Sequence, residues 1–523
     1  MANRKRKQIF LLLLFIAIGF ILRMNNLSGR SLWTDEFFTF FLSTGHGMDT
    51  KNMLDSLSYK TPSDFLKAKE FKRLLTNDLR KGIQDVSQGI INTDTHPPLY
   101  FWIMFFWMKI FGDSVFAVRF FSVILGVLSI PLAYKLTRHL FNENAAVFSA
   151  WFVAILAFTI RFSQEARAYS LILGLSLAAW ILLLRFEKFG KKLDLFCFVF
   201  LNSLGLYTHY FYIFIVFAQF IYFTITYRKE KNILDKFYLG FLSSLLLFSP
   251  WAIIVIQRGY NFHLAEWIFG YPNLWNRIYY FFSVPGQYIL MFGAPLNLSI
   301  RLVVLVVSAF LFYFCLSAFR SAFKKFSKQS LFSLCMFLVP LLGMFFIDII
   351  QQGVLLGQER FWMFPLIGFI PIAGFALSHY FSRKRMLTCF VISSMIVFSL
   401  RIGNLQFGPA PKYISLLINK ESHNKASAVV VYNTRNVVLS GAYYLNDNIY
   451  LAPVKDQAEF KKAIELLDNY ADNVFLERQF HRFDTVLSDQ PFLGIKDIGT
   501  KFKFAGFFYK DEASISKYIK CGL

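Results

Sequence analysis

Apolar residues fall in long runs separated by short basic segments. The runs lie near 9–22, 115–134, 145–160, 168–184, 193–206, 210–226, 237–256, 302–318, 331–350, 361–380 and 386–400. That makes about eleven crossings of roughly 15–21 residues, close to what a hydrocarbon core of about 30 Å requires. Arg4, Lys5, Arg6 and Lys7 precede the first run, and Arg23-Met24-Asn25-Asn26 after it has no small-x-small cleavage pattern. The first run therefore reads as an uncleaved helix with a cytoplasmic N-terminus.

A further run, 98–112, is placed by loop charge. If it does not cross, the basic segments 135–138, 185–192, 228–236, 320–328 and 383–385 all fall on the cytoplasmic side, as the positive-inside rule asks. It is expected to be a re-entrant or interfacial helix on the outer side, buried in protein or facing a water-filled cavity at its ends. The long first loop (23–97), the 161–167 turn, a loop from about 257 to 300 and the tail then lie outside. The tail alternates β-rich runs (428–432, 448–451, 502–509) with a helical stretch, 457–470. The fold class expected is mainly α, a polytopic membrane domain over 1–402, followed by a small extracytoplasmic α/β domain over 403–523.

Composition supports the bilayer as solvent. Of 523 residues, 56% are hydrophobic and only 17% charged, with a mean hydropathy of +0.47. The 66 Phe residues leave no room for a disordered or low-complexity reading. A net charge of +23 does not point to nucleic acid, because the basic residues lie mostly between apolar runs. The five cysteines are scattered and form no metal-ligand spacing, so neither a disulfide nor a zinc site is expected.

Candidate chemistry clusters on the outer side. Trp33-Thr34-Asp35-Glu36 puts adjacent carboxylates about a dozen residues past the first helix, where a low-dielectric boundary favours a general base; they could equally be solvated loop acids. In Thr93-Asp94-Thr95-His96-Pro97-Pro98-Leu99-Tyr100, the prolines fix an extended approach that presents Asp94 and His96. Arg161, Glu165, Arg167 and Tyr169 join two apolar runs, and arginines there suit either phosphate recognition or snorkelling to headgroups. His209 sits at another outer edge, and Glu359-Arg360-Phe361-Trp362 could clamp a lipid-borne phosphate or anchor the interface. His263 and Glu266 form a weaker pair. No Walker loop, GxGxxG after a strand, GxSxG or HExxH is present.

Trp-x-Asp-Glu, Asp-x-His-Pro-Pro-Leu-Tyr, Ser-Gln-Glu-Ala-Arg-x-Tyr, Thr-His-Tyr-Phe and a late Glu-Arg-Phe, in this order, resemble the dolichyl-phosphate-mannose protein mannosyltransferase-like family, membrane glycosyltransferases of the GT-C fold related to lipid A aminoarabinose transferases. The resemblance covers roughly 8–400. It implies transfer of a sugar from a polyprenyl-phosphate carrier to a lipid, glycan or protein acceptor on the outer face, with inversion. It makes Asp35 the candidate base and Glu36 its companion. Glu165, Arg167 and Arg360 would position the acceptor or the carrier phosphate, with His96 beside the donor path. Asp94, Tyr169, His209 and Glu359 complete the expected substrate-binding set. The resemblance fixes no cofactor and leaves a divalent cation open. The expected setting is a bacterial inner membrane with the tail outside. A lipid-linked saccharide flippase and an O-antigen polymerase or ligase are the alternatives, though neither accounts for Asp-Glu in a long early loop.

Overall fold

The structure is a computed structural model describing residues 2–56, 65–94, 96–257, 274–291, 298–351, 353, 355–402, 415, 418–420, 422, 427–432, 443–454, 457–467, 473–479, 497–498, 502–510 and 513–520. His263 and Glu266 lie outside the described residues, as does Cys521. In chain order the helices begin with α1 (Ala2–Met24), α2 (Thr34–Ser43), α3 (Gly47–Ser56), α4 (Ala68–Arg73), α5 (Ile83–Thr93) and α6 (Leu99–Phe111). Next come α7 (Val115–Leu140), α8 (Glu143–Ile155), α9 (Ala157–Ser163), α10 (Tyr169–Phe189), α11 (Lys192–Thr208), α12 (Tyr212–Tyr227) and α13 (Lys231–Gln257). The series closes with α14 (Leu274–Leu290), α15 (Leu298–Lys325), α16 (Ser327–Ile350), α17 (Met363–Phe381), α18 (Arg385–Ile402) and α19 (Gln457–Leu467). The chain divides into two compact units, one of Met1–Leu27, His96–Tyr100 and Arg119–Leu405, the other of Ser28–Thr95, Phe101–Val118 and Gln406–Leu523.

The first unit is helical. Among the described residues seven helices are long and apolar enough to cross a membrane, or eight if the α8–α9 pair, bent by 54°, counts as one span. The protein is a multi-pass membrane protein. Run 98–112 forms the thirteen-residue α6, shorter than a span. Helix α17 is buried along nearly its whole length and packs on α8, α15 and α16. It approaches them closely because it carries glycine: a Cβ on Gly368 would lie 2.3 Å from the Phe337 amide nitrogen, and one on Gly374 would lie 2.7 Å from the Ala145 carbonyl oxygen. Small residues are what let helix backbones meet in a bilayer. Reciprocal amide bonds between Asn202 and Gln219, at 2.8 and 3.2 Å, tie α11 to α12.

Residues 274–290 form a helix where the sequence reads as loop. Asn276, Arg277, Pro285 and Gly286 break the apolar pattern, yet the stretch from Ser283 to Leu290 is buried. Ser308 of α15 makes this tolerable. Its hydroxyl donates to the Ser283 carbonyl at 3.0 Å and accepts from the Gly286 amide at 2.9 Å, serving the backbone beside the proline.

The second unit contains a seven-stranded mixed sheet of order β1-β3-β2-β4-β7-β6-β5. Its strands are β1 (Leu66–Lys67), β2 (Ser427–Tyr432), β3 (Tyr450–Val454), β4 (Asn473–Gln479), β5 (Asp497–Ile498), β6 (Phe502–Lys510) and β7 (Ala513–Lys520). Parallel pairing holds β3, β2 and β4 together, with α19 packed on β3 and β2; the remaining pairs are antiparallel. β1 comes from the long first loop, so that loop and the tail build one sheet. Nearby, the bare backbones of Gly47 and Gly89 let α3 meet α5. Asp49 there accepts from His46 Nδ1 at 2.7 Å and Lys81 Nζ at 2.8 Å. Burial would raise the Asp49 pKa, but these bonds and charges hold it below its ordinary value.

Candidate active site

In the first unit, the end of α9 and the turn from it to α10 carry three buried charges. Arg161, Glu165 and Arg167 are 8%, 3% and 4% exposed, so neither arginine snorkels. Arg161 donates through Nε to Glu165 at 3.2 Å and through Nη1 to Glu359. A buried guanidinium flanked by two carboxylates has its own charge compensated and bonds both acids, leaving one negative charge over in the triad. This bridge fastens the 161–167 segment to the 3-10 turn Glu359–Trp362.

The residues just before this turn are anchored as well. Asp348, near the end of α16, accepts from the Leu355 and Leu356 amides, the second at 2.9 Å. Trp362 donates to the Leu356 carbonyl at 2.8 Å, and Tyr288 of α14 donates to the Trp362 carbonyl at 2.8 Å. Arg360 is thus carried on a backbone held at both ends, with its guanidinium over the Phe361 ring at 5.5 Å.

Arg167 points to His96, with Nη2 3.2 Å from Nε2. The carbonyl of Arg167 accepts from Ser122, whose hydroxyl also meets Tyr100 at 3.3 Å. The His96 ring lies 6.2 Å from His209, edge to face. His209 follows α11, and its Nδ1 accepts the Phe211 amide at 3.1 Å, which leaves the proton of the neutral ring on Nε2. Phe211, Phe361 and Phe364 surround it at 5.2–5.8 Å. Burial first, then the neighbouring His96, Arg167 and Arg360, push the His209 pKa well below its ordinary 6.5. Tyr169 packs on Phe162 at 5.0 Å, bracing the start of α10.

The structure therefore gathers His96, Glu165, Arg167, Tyr169, His209, Glu359 and Arg360 in one unit. Two guanidinium groups and two imidazoles in an aromatic wall suit a phosphoryl group: Arg supplies forked donors, and low dielectric strengthens each bond.

Asp35, Glu36 and Asp94 belong to the other unit. Glu36, 0% exposed, stands in the first turn of α2, where it accepts from the Trp33 amide at 3.3 Å. Asp35 beside it is half-buried, and a carboxylate at a helix N-terminus sits where the dipole favours negative charge. Phe37 and Phe40 fix α2 through Tyr443, and Tyr444 accepts the Leu32 amide at 2.8 Å. Asp94 closes α5.

Sequence reasoning gave no role to Arg161 as the partner of both acids, to Asp348, or to Arg23. Each lies inside or beside an apolar run, where a charge signals burial but not its partner. Among the described residues no group of three or more His, Cys, Asp or Glu could hold a metal ion.

The chain is similar in fold to ArnT from Cupriavidus metallidurans in the apo state, with TM-score 0.53, 11% identity and 97% of each chain covered. The same protein bound to undecaprenyl phosphate gives TM-score 0.52 at 11% identity and the same coverage. The archaeal oligosaccharyltransferase AglB from Archaeoglobus fulgidus, in complex with an inhibitory peptide and a dolichol-phosphate, gives 0.50 at 13% identity over 91% of this chain and 70% of that one. The class is thus a polytopic helical membrane fold of the GT-C type. Residues 95–254 match the family model described as dolichyl-phosphate-mannose-protein mannosyltransferase, so the resemblance carried by the motifs holds over that segment. An uncharacterized protein of Aquifex aeolicus (strain VF5) is 26% identical over 164 residues, 30% of this chain and 32% of that relative's length.

Proposed function

We propose that the protein is a membrane glycosyltransferase that moves a sugar from a polyprenyl-phosphate carrier to a lipid, glycan or protein acceptor at the outer face of a bacterial inner membrane, its N-terminus cytoplasmic. The observation that carries this is the set Arg167, His96, His209 and Arg360, with Arg167 and His209 buried and His96 and Arg360 half-buried, three of its members within the segment 95–254 matched by the family model. A lipid-phosphate sugar needs no nucleotide pocket; its leaving group is a phosphomonoester whose growing charge these groups can stabilise. Asp35 takes the proton of the acceptor hydroxyl or amine as the acceptor attacks the anomeric carbon. The carbon–oxygen bond to the phosphate breaks and configuration inverts. Glu36 holds the helix turn that presents Asp35. Binding of polyprenyl monophosphate, the product carrier, to the full-length protein in lipid nanodiscs tests the site. Arg167→Ala and Arg360→Ala are expected to weaken it about tenfold or more each. Equal binding by these variants and wild type would refute the assignment.

A further inference from the structure

Helix α8 ends at Ile155 and α9 begins at Ala157, bent by 54°, with Leu156 extended at φ −65°, ψ 120°. No proline or glycine stands at this break. Sharp bends otherwise arise where a side chain enters the helical ladder, and here one does. Arg23, at the end of α1 and 0% exposed, uses all five of its N–H donors, four of them on α8 and α9 at the break. Nη2 donates to the Val153 carbonyl at 3.0 Å and Thr159 Oγ1 at 3.1 Å. Nη1 donates to the Ala154 and Gly19 carbonyls, both at 3.0 Å, and Nε to Ser163 Oγ at 3.1 Å.

The break frees carbonyls that have no amide to accept, and each finds a side chain. Val153 and Ala154 take Arg23, Val153 also takes Thr159 at 2.9 Å, and Ile155 takes Ser399 of α18. Room for the guanidinium comes from two glycines: a Cβ on Gly19 would lie 3.2 Å from Nη1, and one on Gly126 3.1 Å from Nε and 2.0 Å from Ser163 Oγ. Gln164 closes the socket, its amide donating to the Arg23 and Asn25 carbonyls at 2.9 Å each.

We infer that Arg23 is a positioning residue for the charged 161–167 segment, holding the bent span in the one geometry that brings Arg161 to Glu359 and Arg167 to His96. Arg161 stands about five residues past the break, so a straightened helix would displace it by about 7 Å, far beyond hydrogen-bond reach. The inference rests on the reading of that segment as part of a phosphate site, but its first consequence is independent of any ligand.

The test uses full-length Arg23→Lys and Ser163→Ala in nanodiscs beside wild type, with two readouts. Lysine keeps the charge but has three donors on a point and cannot reproduce the fork. Amide hydrogen exchange over 154–170 is expected to rise about tenfold or more in Arg23→Lys and less in Ser163→Ala, with α16 and α17 unchanged. Polyprenyl monophosphate binding, scaled to folded protein, is expected to weaken about tenfold in Arg23→Lys. Unchanged exchange over 154–170, or an even rise across all helices with binding intact, would overturn the inference. Should wild type not bind the lipid, the phosphate reading fails while the exchange result still decides the role of Arg23. If Arg23→Lys does not fold, Ser163→Ala alone decides it.

Discussion

Nη2 of Arg167 stands 3.2 Å from Nε2 of His96, and since a guanidinium has only donors, that imidazole nitrogen must accept. The bond fixes both side chains, with His96 Nε2 turned to the guanidinium as its acceptor. A replacement that keeps an acceptor should preserve the arrangement better than one that fills the space. His96→Gln is expected to retain carrier-phosphate binding within about threefold of wild type, whereas His96→Leu should lose about tenfold, measured by lipid binding in nanodiscs.

Arg161 should matter more for stability than for contact with substrate. Removing it leaves Glu165 and Glu359 buried against each other's charge, so Arg161→Met is expected to cost about 3–5 kcal/mol. Adding Glu165→Gln and Glu359→Gln to Arg161→Met should recover most of that loss, because neutral amides need no counter-charge. Thermal unfolding in detergent compares the variants; a triple variant no better than the single would contradict the bridge.

His209 sets a pH dependence. Its pKa is held below 6.5 in the folded protein by burial and by His96, Arg167 and Arg360. On acidification the unfolded chain takes up the proton first, so stability falls as pH drops below about 6.5, by at most about 1.4 kcal/mol per unit for this group. Thermal midpoints from about pH 7 to 5 should decline in wild type and decline less in His209→Phe.

Close helix contacts predict a pair of opposite outcomes. Gly368→Ala would press a Cβ on the backbone of α16, with Phe337 N, Met336 C and Ser333 O all within 2.7 Å, and should destabilise by about 1–3 kcal/mol. Gly174→Ala, inside α10, meets nothing within 4 Å and should raise the unfolding midpoint slightly, since alanine is favoured over glycine in a helix interior by about 0.5–1 kcal/mol.

These contacts also mark the limit of what the sequence discloses. Apolar length located the helices of the first unit, because burial in lipid demands continuous runs. It read 145–160 as one span, because the cause of the bend, Arg23, lies about 130 residues away in the chain. It read 274–290 as loop, because Ser308, which serves the backbone around Pro285, is on another helix. In the tail, the runs at 428–432 and 502–509 became β2 and β6, whereas β1 has only two residues and no pattern of its own. The motifs named the charged side chains of the site. Their pairing, with Glu165 and Glu359 both on Arg161, is a tertiary fact that spacing does not contain.

Sugar transfer from a polyprenyl-phosphate carrier with Asp35 as base makes the carrier phosphate a released product. Its most direct test is release of free polyprenyl phosphate from a panel of polyprenyl-phosphate sugars by the purified full-length protein in native lipid extract, wild type beside Asp35→Asn. Release by wild type from at least one donor, lost by about a hundredfold or more in a folded Asp35→Asn, is the predicted result. Equal release by both, or none from any donor by folded wild type, would contradict the account.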